Sequence, residues 1–163
     1  MNRRYNVDEY LSKIDMLRKH VPEIAITTDI IAGFPGETDE DHKATVKALT
    51  EIRFDGIFAF NYSPRPMTRA AEMDGQIEPE IRSERLAEIL ELQDRITLEK
   101  NRKLEGSVME VLVDDFLDRG MPSSRTRTNK IVRLKGNNVI KGSIVNVQIE
   151  KAHKHNLLGR LDK

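Results

Sequence analysis

Thr28-Asp29-Ile30-Ile31-Ala32-Gly33-Phe34-Pro35-Gly36-Glu37-Thr38-Asp39-Glu40-Asp41 reads as an apolar strand that runs into a Gly-Phe-Pro-Gly turn and then into the acidic start of a helix. The run from Ile24 to Ile31 is rich in β-branched residues without clean polar alternation, which predicts a strand covered on both faces in a parallel sheet. Thr38 and Asp41 form a box-like helix start, and Val46, Leu49 and Ile52 space the helix to about Arg53. Upstream, Asn6 and Glu9 make a second capping box; Tyr10, Leu11, Ile14, Leu17 and Val21 mark one helical face that Pro22 closes. Downstream, Asp55-Gly56 breaks the helix. Ile57-Phe58-Ala59-Phe60-Asn61-Tyr62 is the next strand, with Phe58, Phe60 and Tyr62 on one face. Helix, strand, helix, strand is the repeating βα unit of a parallel α/β sheet or barrel.

Two prolines in Ser63-Pro64-Arg65-Pro66 remove ladder donors, so a loop follows, to about Ile77. Pro79 suits the first turn of a long helix, which Ile81, Leu86, Ile89, Leu90, Gln93 and Ile96 carry to about Leu104 before Gly106 stops it. The period then changes. Val108, Glu110, Leu112 and Asp114 alternate with Met109, Val111 and Val113, and Ile144, Val145, Val147 and Ile149 form another strand-like run. Short strands separated by Gly120, Gly136, Gly142 and Gly159 predict a small all-β barrel. The expected organisation is therefore an α/β part over 1–104 and a β-barrel over 105–163.

Composition narrows the function classes. The chain has 163 residues, 38% hydrophobic and 33% charged, with no apolar run near the roughly 18 residues a membrane span needs. Met1-Asn2-Arg3-Arg4-Tyr5 opens without the apolar core of a signal peptide, so a cytoplasmic setting without membrane contact is expected. Zero Cys removes disulfides, thiol nucleophiles and iron-sulfur ligands from this chain, and His20, His42, His153 and His155 lack zinc-type spacing. The net charge of zero hides an asymmetry: residues 1–106 hold 16 Lys+Arg against 21 Asp+Glu, and residues 107–163 hold 11 against 6. The basic half is where a polyanionic partner would bind.

Gly33-Phe34-Pro35-Gly36 lies at the carboxyl end of a parallel strand, where α/β folds bind their ligands. Two glycines and a proline let the backbone turn sharply and approach a ligand closely. The same turn also satisfies βα geometry by itself, so both readings stand. Asp29 needs a hydrogen-bond partner if buried, either on the neighbouring strand or on a cofactor. Arg65, on a proline-braced loop, could grip a phosphate or carboxylate, or simply be solvated. In an extended strand, Arg125, Arg127 and Asn129 would emerge on one face and Thr126, Thr128 and Lys130 on the other, giving a polar, cationic strip suited to nucleic-acid phosphates. Phe116 is the one aromatic residue of the basic half, which favours backbone recognition over base stacking.

The segments Met1–Tyr5, Thr27–Thr38, Tyr62–Pro66, Leu92-Gln93 with Leu98–Asn101, and Arg125–Lys130 appear in that order. Together they resemble the carboxyl-terminal part of the radical S-adenosylmethionine methylthiotransferases, over essentially the whole chain. Thr27-Thr28-Asp29 and the Ser63–Pro66 stretch resemble the branch that modifies isopentenyl-adenosine beside the anticodon of tRNA, more than the ribosomal-protein branch. The resemblance implies that 1–104 closes a partial (β/α) barrel and that 105–163 is a TRAM RNA-binding barrel. It implies that Arg3, Thr28, Asp29, Ile31, Gly33, Phe34, Pro35 and Gly36 border S-adenosylmethionine. Tyr62 and Arg65 would lie near the substrate nucleotide, and Arg125, Arg127, Asn129 and Lys130 would hold the tRNA anticodon stem-loop. The family's 4Fe-4S clusters need cysteines that this chain lacks, so an amino-terminal cluster-binding part of the parent is the implied partner and the chain alone is expected to be inactive. Met67 stands where the family usually has Gly and Arg69 where it has Pro. Met1 falls inside the first motif, so the chain reads as a fragment. A non-catalytic RNA-binding module and a phosphate-binding α/β domain are the competing readings; the second lacks a Gly-rich fingerprint.

Overall fold

The computed structural model describes residues 4–116, 121–136 and 138–162. Two compact units divide between Ile96 and Thr97. In the first, α1 (Val7–His20), β1 (Thr27–Ala32), α2 (Asp39–Ile52), β2 (Gly56–Asn61) and a short 3-10 turn (Arg69–Glu72) are followed by α3 (Pro79–Arg102), whose end belongs to the second unit. Both capping boxes form: the Asn6 side chain accepts from the Glu9 amide, and Thr38 accepts from the Asp41 amide. α2 has no basic residue in its last turn, and the Arg18 guanidinium of α1 donates to the Ile52 carbonyl there instead.

β1 and β2 pair in parallel, Thr27 opposite Gly56 through Ala32 opposite Asn61. Ile14, Ile26, Ala32, Leu49, Ile52, Phe54 and Ile89 form the core, with Ile30, Ile57 and Ala59 packed against it, so the helices cover one face of the sheet. The other face is open. Thr27, Asp29 and Ile31 are exposed, and Phe58 and Phe60 are 61% and 59% exposed. The expectation of a strand covered on both faces is therefore corrected. A β-branched run reads alike whether its second face is covered or bare. Tyr62, expected to share the face of Phe58 and Phe60, is only 8% exposed; its amide donates to the Ala32 carbonyl at 2.8 Å, one residue past the strand.

The loop after β2 turns at Arg65-Pro66-Met67-Thr68, where the Thr68 amide and hydroxyl both donate to the Arg65 carbonyl, at 3.3 and 2.8 Å. Pro at the second position and a left-handed third residue make this a type II turn. Met67 adopts φ +63° there, a conformation glycine takes at no steric cost.

The second unit is a closed barrel of β3 (Val108–Phe116), β4 (Pro122–Thr126), β5 (Ile131–Lys135), β6 (Ile144–Ala152) and β7 (Leu157–Leu161), in the order β3-β4-β5-β7-β6. All neighbours are antiparallel except β5 and β7, and β6 returns to β3 to close the ring, a five-stranded Greek-key arrangement of the OB type. Val111, Val113, Val132, Leu134, Val147, Ile149, Ala152 and Leu157 fill the interior, and the residues alternating with them face outward. Gly159, expected to separate strands, lies inside β7; Gly120 lies outside the described residues. A Cβ at Gly159 would collide with Val147 Cγ1 and sit 2.9 Å from the Gln148 carbonyl oxygen.

Two stability outcomes follow from these positions. Gly159→Ala forces one of the closing strands outward and is expected to cost about 1–3 kcal/mol, read as a lower urea midpoint. Met67 is 98% exposed and loses no packing on truncation, so Met67→Gly is expected to raise stability by up to about 1 kcal/mol by removing the left-handed strain. A Met67→Gly protein melting below the parent would contradict this account of the turn.

Candidate nucleic-acid interface and the Gly33–Gly36 turn

At the carboxyl end of β1, Gly33 and Gly36 adopt φ of +73° and +81°. A Cβ at Gly33 would collide with Arg82 Cγ, so glycine is needed for the side chain of Arg82 to cross the turn. Arg82 Nη1 then donates to the Tyr62 carbonyl at 2.7 Å, tying the end of β2 to α3. The Gly33 amide donates to Glu37 Oε2 at 3.1 Å, and the Gly36 amide donates to the Gly75 carbonyl at 2.9 Å. Arg85, buried on α3, donates to Glu37 Oε1 at 2.9 Å and Asp39 Oδ1 at 2.6 Å. Burial works to lower the Arg85 pKa; the hydrogen bonds and charges of Asp39 and Glu37 outweigh it, and the net shift is upward. Arg85 stays a cation.

The amides of both glycines are thus already committed, and of the two only Gly36 is exposed. Asp29 and Ile31 face outward on the bare side of the sheet, while Thr28 points toward the helix-packed side. Asp29 is exposed and has no need of a buried partner. Pro35 is buried and Phe34 half-buried, its ring edge-on to Tyr62 with centroids 5.3 Å apart. Among the described residues Tyr62 Oη and Asn61 Oδ1 are buried without hydrogen-bond partners, which is uncommon for buried polar atoms. Arg65 is exposed on its loop, and Arg3 lies outside the described residues. Sequence reasoning missed Arg82, Arg85 and Glu37 as the fasteners of this turn, because nothing local marks a contact 48 residues away in the chain.

In the barrel, the expected strip at 125–130 is not an extended strand. β4 ends at Thr126, and Thr126–Lys130 folds back on itself: the Asn129 amide donates to the Thr126 carbonyl at 2.9 Å, and the Thr126 amide to the Lys130 carbonyl at 3.0 Å. Asn129 takes φ +62°, which asparagine tolerates better than most residues. The Thr126 hydroxyl holds the turn by accepting from the Lys130 amide at 3.0 Å. Within the turn Arg125, Arg127 and Asn129 remain exposed while Thr126 is buried and Thr128 and Lys130 are half-buried, so the expected division of side chains persists although the strand does not. Arg125 Nη1 donates to Asn129 Oδ1 at 3.0 Å while its Nε donates to Asp114 at 2.6 Å; Arg127 pairs with Glu110 at 2.7 Å; Lys130 Nζ donates to Asn101 Oδ1 at 2.9 Å. Asn101, 4% exposed in the last turn of α3, also donates to the carbonyls of His153 and Lys154, so it fastens two barrel loops at once. The arginine pairs are solvent-accessible, of a kind worth about 0–1 kcal/mol, which phosphate oxygens can replace.

Among the described residues no cluster of His, Cys, Asp or Glu could hold a metal ion, and no helix is long and apolar enough to cross a membrane.

Comparison with known proteins follows this division. Residues 102–161 match the TRAM domain family. The chain is 52% identical over 159 residues to the tRNA-2-methylthio-N(6)-dimethylallyladenosine synthase of Thermodesulfovibrio yellowstonii, covering 98% of this chain and 37% of that protein. It is 45% identical to the synthase of the same name from a Sulfurihydrogenibium species, over 99% of this chain and 37% of that protein. For Aquifex aeolicus the figures are 44%, 99% and 36%. A solution structure of a conserved Methanococcus maripaludis protein is 22% identical with a TM-score of 0.32, covering 36% of this chain and 80% of that one, a likeness too slight to define a fold. The chain thus spans little more than a third of the length of these curated relatives. Residues 102–161 thus match the TRAM domain family, and nearly the whole chain is similar to a part of the tRNA-2-methylthio-N(6)-dimethylallyladenosine synthases.

Proposed function

We propose that this chain is the carboxyl-terminal part of a radical S-adenosylmethionine methylthiotransferase that adds a methylthio group to isopentenyl-adenosine next to the anticodon of tRNA. The observation that carries the reading is the near-complete match of the chain to enzymes named for that product, joined to a closed barrel that displays Arg125 and Arg127 on exchangeable ion pairs. In this reading residues 1–104 are the last βα units of the radical S-adenosylmethionine barrel, working in the cytoplasm with the rest of the parent, and 105–163 hold the anticodon stem-loop.

The chain contains no Cys, and the described residues contain no metal-binding cluster, so it does not fit the 4Fe-4S clusters as a ligand source; those ligands belong to the rest of the parent. S-adenosylmethionine fits better. The bare sheet face with Asp29 and Ile31, bordered by the Gly33–Gly36 turn, offers an apolar surface with one carboxylate able to accept from an adenosyl hydroxyl or amine. When bound in the parent, S-adenosylmethionine and the clusters supply the radical chemistry. This chain's residues bind and orient: Tyr62 lies just past the end of β2, and Arg65, exposed on the loop that follows, supplies a cation for the substrate nucleotide. Arg125, Arg127, Asn129 and Lys130 engage the RNA backbone. A second reading, a stand-alone RNA-binding module, draws on the barrel's own closed core.

Two experiments test this. The chain is expected to bind an RNA stem-loop with affinity falling steeply as salt rises, and Arg125→Ala with Arg127→Ala should reduce the logarithmic salt slope by about 1.5, at roughly 0.7–0.9 for each phosphate no longer neutralised. A chimera in which this chain replaces the matching third of the Thermodesulfovibrio synthase should form methylthiolated tRNA, detected by mass spectrometry of digested nucleosides. A folded chimera that binds the stem-loop yet makes no product would remove the enzyme assignment and leave the binding module.

A further inference from the structure

A second group of cations lies on the barrel, away from the Arg125–Lys130 turn in sequence. On β5, Arg133 and Lys135 point outward, alternating with the buried Val132 and Leu134. Register places Lys135 opposite Arg160 of β7, Arg133 opposite Leu158 of β7, and Arg133 opposite Ser123 of β4. Arg125 of β4 is opposite Ile131 of β5. The outward face therefore carries Arg125, Arg133, Lys135 and Arg160 across three adjacent strands about 4.8 Å apart.

Acidic groups are fewer. Glu150 of β6 is shared: Lys135 Nζ lies 2.6 Å from one of its oxygens and Arg160 Nε 3.4 Å from the other. Arg160 also donates to Gln148 Oε1 at 2.8 Å, which fixes its guanidinium over β6. The hydrogen bond from Lys135 and the nearby positive charges hold the Glu150 carboxyl below its ordinary value, so it stays ionised. Asp162, exposed just past β7, is the other acid at this edge. Arg133 has no counter-ion among the described residues. Three cations against two carboxylates, Glu150 and Asp162, leave a net positive surface, and no aromatic residue lies on β4, β5 or β7 to stack a base.

We infer that the outward face of β5 and β7, carrying Arg133, Lys135 and Arg160, is a second RNA-backbone contact surface of the barrel, continuous through β4 with the Arg125–Lys130 turn. The inference rests on the RNA-binding reading of that turn and extends it to residues on other strands. RNA is the occupant because the face is cationic and lacks stacking rings, which suits phosphate and ribose contacts on a folded stem. Glu150 acts as the resident counter-ion, which a phosphate replaces when RNA docks.

The test is binding of a fluorescein-labelled RNA stem-loop to the full chain, by anisotropy across a salt series. Arg133→Ser, Lys135→Ser and Arg160→Ser combined should lower the logarithmic salt slope by about 2 and weaken binding, because each neutralised phosphate contributes roughly 0.7–0.9 to that slope. Glu150→Gln should tighten binding. Arg133, Lys135 and Arg160 are exposed, and an unchanged circular-dichroism melt shows the barrel intact; a variant whose melt shifts is replaced by the corresponding Gln substitutions, Arg133→Gln, Lys135→Gln and Arg160→Gln. If the triple variant binds like the parent while Arg125→Ala with Arg127→Ala does not, the second surface is wrong and the turn stands. If the parent chain shows no salt-dependent binding at all, the RNA reading itself falls, and this surface with it.

Discussion

Closure of the barrel through β7 is the constraint on which the interface depends. β7 lies parallel to β5 and antiparallel to β6, and it can do so because Gly159 presents no Cβ to Val147. Once the ring is closed no strand edge is left to recruit another chain, and every second side chain must face outward. The charges of the basic half then have nowhere to go but the surface. Their positions are fixed by strand register, while the turn from Thr126 to Lys130 folds on its own hydrogen bonds.

The first unit obeys the opposite logic. Among the described residues its two strands pair only with each other, their second face is bare, and Phe58 and Phe60 stand on it with Ile31. The covered face is complete, with α1, α2 and α3 packed over it, and the strand ends are locked by a polar assembly in which Arg82 threads past Gly33 and Arg85 joins Glu37 to Asp39. In the proposed reading, rigid ends beside an open apolar face suit a ligand-bearing sheet, since ligand groups must be met by atoms already held in place. The unpartnered Tyr62 Oη and Asn61 Oδ1 sit at those ends.

What is legible in the sequence is whatever is written locally. Both capping boxes, the long helix and the inward alternation of Met109, Val111 and Val113 follow from spacing of four residues or fewer, and the structure has them. α3 ends at Arg102, two residues short of the expected Leu104, because fraying ends carry little pattern. The bare face of β1 is hidden from the sequence because hydrophobicity alone does not say what lies against a strand. The segment 125–130 keeps its alternation of exposed and covered side chains but leaves the strand at Thr126, because Asn129 takes the left-handed conformation that its side chain favours. Glu37 with Arg85, and Asn101 with the barrel loops, leave no local mark: each joins residues about 50 apart, and their polar letters on a helix look like solvated surface.

The most direct measurement is amide chemical-shift mapping of the isotopically labelled chain titrated with an RNA stem-loop. The account predicts shifts concentrated at Arg125–Lys130 and along β5 and β7, with the residues of β1 and α2 little changed. Shifts confined to residues before Ile96, or none at saturating RNA and low salt, would contradict it.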